Sequence, residues 1–115
     1  MKEKFRIDFL KEASEFIDSL DEKTRDKIIY NLNKAKFSND KELFEKLNGE
    51  IWEFRTLYTK TYYRLLAFWD KTERSDTVVI STHGIRKKTD KTPQSDIDKA
   101  ERIRKLYFNQ KTRKQ

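Results

Sequence analysis

The sequence predicts an α+β fold, in which a small antiparallel sheet is covered on one face by helices and the elements follow the order β-α-α-β-β-β-α. Two observations support this prediction. Apolar residues recur at helical spacing near both ends of the chain, and they alternate at strand spacing between residues 51 and 83. Because the chain has 115 residues and no internal repeat or linker, we expect a single domain over residues 1–115.

The first three predicted elements lie within residues 5–35. Apolar and charged residues alternate over residues 5–9, which predicts a short strand. Apolar residues then recur at helical spacing over residues 10–20, as they do in an amphipathic helix. Asp21 is the predicted N-cap of a second helix, whose apolar stripe continues to Ala35.

Three strands with short connections follow, and they predict an antiparallel meander. The predicted strands are Ile51–Tyr58, Tyr62–Trp69 and Thr77–His83. Thr92 and Pro93 form an N-cap and first-turn pair, which predicts the start of a third amphipathic helix. The basic end of the chain, from about residue 110 to residue 115, is expected to fray.

Charged residues are unevenly distributed along the chain. There are 27 basic and 20 acidic residues, for a net charge of +7; residues 1–50 carry 11 basic and 12 acidic residues, and residues 51–115 carry 16 and 8. A basic excess confined to one part of a chain indicates an anionic partner, which is a nucleic acid, an anionic membrane or an acidic protein. A solubilising surface is the simpler alternative.

The composition also indicates the compartment. The chain has no cysteine, which excludes disulfides, thiolate nucleophiles and zinc sites built on sulfur. No apolar run is long enough to span a membrane, and the first residues do not have the pattern of a signal peptide. We therefore expect a cytoplasmic protein with no membrane partner.

Several kinds of chemistry are disfavoured by the residue types. His83 is the only histidine, and Ser81 beside it on the same predicted strand is not enough for a catalytic triad. One histidine and scattered acids do not match a metal site. Gly49 and Gly84 stand alone, so a glycine-rich phosphate loop is not predicted. We expect neither a metal nor another cofactor.

Basic residues on adjoining predicted strands remain as candidates. Arg55 lies on the first meander strand, Arg64 lies on the second, and the run Arg86–Lys88 follows the third. In a meander these positions can converge on one face of the sheet. A salt bridge to Glu53 or another acid is the alternative for both arginines, because an unpaired buried guanidinium is costly. For the run Arg86–Lys88 the alternative is a solvated loop.

Two other candidates have equally simple alternatives. Tyr62 is either a core or edge aromatic residue or a platform on which an RNA base stacks. His83 is either a polar residue at a strand end or a proton-transfer group, because the ordinary histidine pKa of about 6.5 suits that role near neutral pH.

Three segments of the chain carry a family resemblance. FIDSLDEKTRDKI, KLNGEIWEFRTLYTKTYYRLLAFWDK and STHGIRKKTDKTPQSDIDKAERIRKLY together resemble the HigB-like, phage-related branch of the RelE/ParE toxin superfamily. The likeness spans about residues 14 to 110 and depends on a combination of motifs: Leu-x-Gly-x-x-x-Glu-x-Arg, a Tyr-Arg-x-x-x-Phe strand, and Lys-Lys-Thr before Thr-Pro and a basic helix. The sequence departs from the pattern at Ile85 and Arg86, where an aromatic or aliphatic pair is more usual.

The resemblance implies a RelE-like fold and the toxin of a type II toxin-antitoxin system. The implied activity is that of a metal-independent mRNA endoribonuclease that acts on the translating ribosome and blocks translation. The implied partners are a HigA-like helix-turn-helix antitoxin, the ribosome and mRNA, with promoter DNA bound only through the antitoxin. Two alternatives stay open: a ParE-like DNA gyrase poison, and a non-catalytic basic module that binds nucleic acid.

The implied reaction assigns a role to each basic candidate. When the 2′-hydroxyl of RNA attacks the neighbouring phosphate, the enzyme must align that oxygen, accept its proton and neutralise the phosphorane. Arginine suits the last task because its planar donors bind phosphate oxygens in pairs. The predicted catalytic residues are Arg64 for transition-state stabilisation, Arg55 and Lys88 for holding the phosphate, and Lys87 or His83 for proton transfer. The predicted RNA-binding residues are Arg86, Lys91 and Tyr62.

Overall fold

The alternating and helical stretches of the sequence form five strands and three helices in a computed structural model, which describes residues 2–73 and 77–113. The elements in chain order are β1 (Arg6–Phe9), α1 (Lys11–Asp18), α2 (Glu22–Ala35), β2 (Phe44–Asn48), β3 (Ile51–Tyr58), β4 (Thr61–Asp70), β5 (Val78–Lys87) and α3 (Gln94–Arg113). The fold is therefore α+β, as predicted. Asp21 caps α2 as predicted, since its carboxylate accepts a hydrogen bond from the peptide N–H of Thr24 at 3.3 Å.

The five strands form one mixed sheet in the order β1-β5-β4-β3-β2. β1 runs parallel to β5, and the other neighbouring pairs are antiparallel. The prediction of a purely antiparallel sheet with the order β-α-α-β-β-β-α is therefore wrong. β1 joins by long-range pairing, in which the peptide N–H of Arg6 donates to the carbonyl of Thr77 at 2.9 Å, and a local pattern does not reveal such a partner.

The strand that the sequence did not predict is β2, which lies at one edge of the sheet. It pairs with β3 through a tight turn in which Gly49 adopts a φ of +56°, a left-handed conformation that glycine reaches without strain. A bulge between Lys46 and Asn48 interrupts the pairing. Glu45 of this strand contacts Arg55 of β3.

Helices cover both faces of the sheet, so the prediction of helices on one face only is wrong. The alternation along β4 explains the arrangement, because Leu65 and Ala67 pack beneath α1 and α2 whereas Leu66 and Phe68 pack beneath α3. All four side chains are buried. A strand that is apolar on both sides requires a cover on both sides.

The third helix continues to Arg113, so residues 110 to 113 of the predicted frayed tail are helical. Residues 114 and 115 of that prediction lie outside the described part of the chain. Among the helices that the structure describes, none combines the length and the apolar character needed to cross a bilayer.

Candidate anion-binding site

The two arginines predicted as candidates lie side by side on one face of the sheet. Residues 51, 53, 55 and 57 of β3 project toward the α3 face, as the alternation predicts, and Arg55 lies directly opposite Arg64 of β4 in the register. β5 ends at Lys87 and α3 begins at Gln94. Asp90, in the segment between them, contacts both guanidinium groups.

Arg64 is almost completely buried, with 2% of its surface exposed. Its Nη1 donates to Oε2 of Glu53 at 3.2 Å, and its Nη2 donates to both the carbonyl oxygen and Oδ1 of Asp90 at 2.6 Å. The guanidinium carbon lies 5.2 Å from the ring centre of Tyr62, which is a cation–π distance. Arg64 therefore has several partners that offset the cost of burying its charge.

Arg55 shares two of these acidic partners. Its Nη2 donates to the same Oδ1 of Asp90 at 3.1 Å, and its Nε lies 3.5 Å from Oε2 of Glu53. Its Nη1 donates to Oε2 of Glu45 at 2.9 Å. The salt bridge from Arg64 to Glu53, which the sequence offered as an alternative, is thus formed, and a second acid, Asp90, joins both arginines.

Glu53 binds both arginines from its buried position on β3. Its side chain is buried, and Thr92 donates a hydrogen bond to its Oε1 at 2.5 Å. Burial raises the pKa of Glu53 above its usual value, and this effect outweighs the hydrogen bond from Thr92 and the attraction of Arg64 and Arg55. Asp90, the other acid that contacts both arginines, is instead open to solvent, with 66% of its side chain exposed.

A groove of about 460 Å³ opens beside these arginines, and we call it the arginine groove. The groove follows the outer edge of β3, because β2 pairs with β3 only as far as the register pair Phe44–Phe54. Its lining has four basic residues, Lys27 and Lys34 of α2 with Arg55 and Arg64 of the sheet, and three acidic residues, Asp40, Glu42 and Asp90. Asn31 of α2 and Tyr62 also line it. The sequence did not predict that residues of α2 line this groove. Polar residues on the exposed face of a helix do not indicate which strand edge the helix lies beside.

The basic run Arg86–Lys88 was predicted to follow the third meander strand, but β5 continues to Lys87, so Arg86 and Lys87 lie on the strand itself. The run lies in a neighbouring cavity of about 300 Å³. Arg86, Lys87 and Lys88 line it together with Thr61 and Tyr63, and Nζ of Lys88 donates to the Thr61 hydroxyl at 2.9 Å. Lys87 lies opposite Tyr62 in the β4–β5 register, so this cavity and the arginine groove are at the same end of the sheet. The predicted basic residues are therefore divided between two adjoining surfaces.

Lys91 lies in a third hollow, of about 460 Å³, which also includes Glu45, Arg55, Asp90 and Thr92. Because Arg55 and Asp90 line both this hollow and the arginine groove, the two are continuous. Lys91 therefore adds one more cation beside the arginine pair.

His83 lies apart from the groove, buried beneath the first turn of α3. Its Nε2 is 3.2 Å from Oδ1 of Asp96, and its Nδ1 is 2.9 Å from the hydroxyl of Thr82. Burial lowers the pKa of His83, although the hydrogen bond to Asp96 opposes this effect. The structure thus places His83 with α3 and does not bring it together with Arg55 and Arg64.

The shared oxygen of Asp90 indicates what the site can bind. Each arginine directs one nitrogen to this oxygen, so the two guanidinium groups together form charge-assisted hydrogen bonds to a single anionic oxygen, which a carboxylate or a phosphate can supply. The sequence did not predict Asp90 as a site residue, because attention falls on the basic residues around it. A single acidic residue within a basic run is the signal that could have identified it. Among residues 2–73 and 77–113, no cluster of three or more histidine or acidic side chains is arranged to hold a metal ion.

The chain matches a protein family over most of its length. The model of the family described as phage derived protein Gp49-like (DUF891) matches residues 15–105, which include both arginines, Asp90 and the basic run Arg86–Lys88. No curated protein matches the chain significantly.

Proposed function

Since the chain belongs to the phage-derived Gp49-like family, a RelE-like toxin family, we propose that it is the toxin of a type II toxin-antitoxin pair and cleaves messenger RNA on the translating ribosome. The observation that supports this proposal is the convergence of Arg55 and Arg64 on one oxygen of Asp90, at 3.1 and 2.6 Å. The proposed partners are the ribosome, mRNA and a helix-turn-helix antitoxin, and the proposed compartment is the cytoplasm.

In the proposed complex a phosphate of the RNA replaces the carboxylate of Asp90. Both groups present anionic oxygens to the paired guanidiniums, so the exchange requires little rearrangement of Arg55 and Arg64. Tyr62, beside the Arg64 guanidinium, offers a ring on which a base can stack. Lys88 and Arg86 in the adjoining cavity extend the cationic surface along the RNA backbone.

The proposed reaction is a transesterification. The 2′-hydroxyl oxygen forms a bond to the adjacent phosphorus, and the bond from phosphorus to the 5′-oxygen breaks, which leaves a 2′,3′-cyclic phosphate and a 5′-hydroxyl. The proton of the 2′-hydroxyl passes to a base, and the 5′-oxygen receives a proton. The arginines stabilise the extra negative charge of the phosphorane; loss of one such donor typically lowers kcat by roughly 100- to 1,000-fold.

Proton transfer is assigned to Lys87 in this proposal. Of the two residues that the sequence suggested, Lys87 is exposed at the end of the sheet that carries the arginine groove. His83 is buried, and its two ring nitrogens face Thr82 and Asp96.

A second candidate function is RNA binding without cleavage. The burial of His83 away from the groove favours it, because histidine is the side chain best suited to exchange protons near neutral pH. In that case the same groove would hold RNA, and translation would be blocked by occupation alone.

The test of the proposed function is expression of the protein in bacteria and in a translation system programmed with a defined message. We expect growth arrest and message fragments with cyclic phosphate ends. Arg55→Ala, at a partly exposed position, should abolish cleavage; Arg64→Ala should do the same but must first be shown to fold. Arg102→Ala, at an exposed position on α3, is the matched control and should remain toxic.

Each other outcome selects a different function. Growth arrest with intact messages but with RNA binding that depends on Arg55 would select the binding module. Induced DNA breaks with intact messages would select a gyrase poison. Equal activity of Arg55→Ala and Arg102→Ala would show that the arginine groove is not the site.

A further inference from the structure

A second cavity, of about 440 Å³, lies beside β2 on the face of the sheet that α1 and α2 cover, and we call it the aromatic pocket. Its apolar wall consists of Phe5, Phe44, Trp52 and Trp69. Phe44 and Trp52 stack with ring centres 4.8 Å apart, and Trp69 meets Trp52 edge-on at 5.6 Å. The volume falls within the range of roughly 300–1,000 Å³ that is typical of ligand sites.

The rim of the aromatic pocket is cationic. Lys4, Lys41 and Lys46 line it, and Lys41 and Lys46 are exposed. The acidic residue among the lining residues is Glu45, whose carboxylate is bound by Arg55 at 2.9 Å. The net charge at the rim therefore favours an anionic group on the ligand.

Two polar atoms of the lining residues are buried and have no hydrogen-bond partner within the described part of the chain. They are the indole N–H of Trp69 and the hydroxyl of Ser38. Buried polar groups usually have partners, but these two atoms are closed to solvent and therefore do not indicate which ligand the pocket takes.

We propose that the aromatic pocket binds a nucleotide, with its base against the indole ring of Trp52 and its phosphate at Lys41 and Lys46. Phe44, which stacks between Trp52 and Phe54, supports the indole from behind. Stacking on aromatic side chains combined with a cationic groove is the usual way in which proteins hold single-stranded nucleic acid. Glu45 lines both this pocket and the hollow that contains Arg55 and Lys91. An RNA strand that crosses β2 would therefore reach both surfaces.

This inference rests on the proposed function, because the bound nucleotide is then one unit of the RNA that the protein cleaves. A free nucleotide has the same chemistry and is distinguished by the experiment. The nucleotide occupant is favoured over a peptide because one nucleotide unit supplies both a planar ring for the aromatic wall and an anionic phosphate for the lysine rim.

The two tryptophans of the chain both line this pocket, so intrinsic fluorescence reports its occupation directly. The protein is titrated with GMP, with a short single-stranded RNA and with ribose 5-phosphate, with excitation at the red edge of the indole absorption. We expect saturable quenching by GMP and tighter quenching by the RNA, with no effect of the base-free ribose phosphate. Quenching by GMP that the RNA does not improve would identify a free-nucleotide site. Absence of saturable quenching by both would overturn the inference.

Exposed lysines provide matched variants. Lys41→Ala combined with Lys46→Ala should weaken the GMP titration by about fivefold or more, because two phosphate contacts are lost. Lys23→Ala combined with Lys105→Ala removes the same charge at the far end of α2 and on α3, and it should leave the titration unchanged. Equal weakening by both pairs would overturn the inference, as would an acidic aromatic peptide that quenches at lower concentration than GMP. Arg64→Ala, once circular dichroism shows that it folds, should abolish cleavage without changing the GMP titration, so failure of the pocket and failure of the proposed function are separable.

Discussion

Arg55 and Arg64 lie directly opposite each other on β3 and β4, and both donate to the same carboxylate oxygen of Asp90. Like charges in opposite positions of an antiparallel pair repel each other, so the pair requires anions close by. Glu53 supplies one from within the sheet, and Asp90 supplies the other from an exposed loop. The exposed anion is the one that a ligand can replace, so Asp90 both organises the arginines and competes with their proposed substrate.

The first prediction concerns this competition. Asp90→Asn keeps an acceptor for the arginines and the main-chain carbonyl bond to Arg64, but it removes the negative charge that a phosphate must displace. We expect RNA affinity, measured by filter binding over a range of salt concentrations, to rise about three- to tenfold. Asp98→Asn removes an equal charge from an exposed position on α3, where the carboxylate accepts a hydrogen bond from Gln94. An equal rise in that control would mean that net charge, not displacement of Asp90, sets the affinity.

The sequence predicts best the elements that carry their own pattern. β3 is predicted with its observed bounds, because Ile51–Tyr58 alternates without interruption. β2 is missed because Phe44–Asn48 is short and partly charged, and its pairing with β3 contributes more to its conformation than its own side chains do. The face that α3 covers is also missed, because an amphipathic stripe shows that a helix packs but does not show against which surface.

The candidate site shows the same division. The arginines could be found because their strand positions place them on one face, and Glu53 could be named as a partner because it belongs to the same strand face. Asp90 and the lysines of α2 could not be found in this way, since their proximity to the arginines depends on how a loop and a helix pack on the sheet. Sequence periodicity gives the direction of a side chain within an element, whereas distances between elements come from the tertiary structure.

A second prediction concerns the contact between Gly84 and Phe16, which joins β5 to α1. A Cβ added at Gly84 would overlap the ring of Phe16, with Cε2 at 2.7 Å. Gly84→Ala should therefore lower the free energy of unfolding by about 1–3 kcal/mol, measured by denaturant titration. In a Phe16→Leu background the same substitution should cost less, and the difference gives their coupling energy.

Gly49→Ala is the control for that experiment. The space around Gly49 is open, but its φ of +56° strains an alanine, so a cost of about 1 kcal/mol is expected. This cost should be the same with phenylalanine or leucine at position 16. If the cost of Gly84→Ala were equally insensitive to position 16, steric overlap with Phe16 would not be its cause.

A third prediction concerns the buried carboxylate of Asp70, which fixes the C-terminal half of α3 to β4. It accepts hydrogen bonds from Tyr107 at 2.5 Å, Lys111 at 2.8 Å and the Thr72 hydroxyl at 2.7 Å. Burial alone would raise the pKa of Asp70, but these bonds outweigh it and hold the pKa well below the ordinary value of 3.8. Stability from Asp70 is therefore present above that value and is lost as the pH falls below it.

Asp70→Asn should lower the free energy of unfolding near neutral pH by about 2–3 kcal/mol, because Lys111 and Tyr107 lose a charged acceptor. The difference from the wild type should shrink as the pH falls below about 4. Tyr107→Phe removes one donor only and should cost about 1 kcal/mol. A difference that stays constant through the acid range would contradict the lowered pKa of Asp70.

The last prediction concerns His83 and the pH dependence of folding. Burial beneath α3 lowers the pKa of His83, while the carboxylates of Asp96 and Glu12 raise it and Lys99 lowers it further. Because the net direction is downward, the unfolded chain binds a proton at a higher pH than the folded chain does. The wild type should therefore lose stability relative to His83→Gln as the pH falls below about 6.5, the ordinary histidine value. Asp96→Asn with His83 retained should extend this loss to lower pH, because it removes a group that favours the protonated ring. Denaturant titrations across this pH range measure both differences, and a wild type that instead gains stability on acidification would show that pairing with Asp96 outweighs burial.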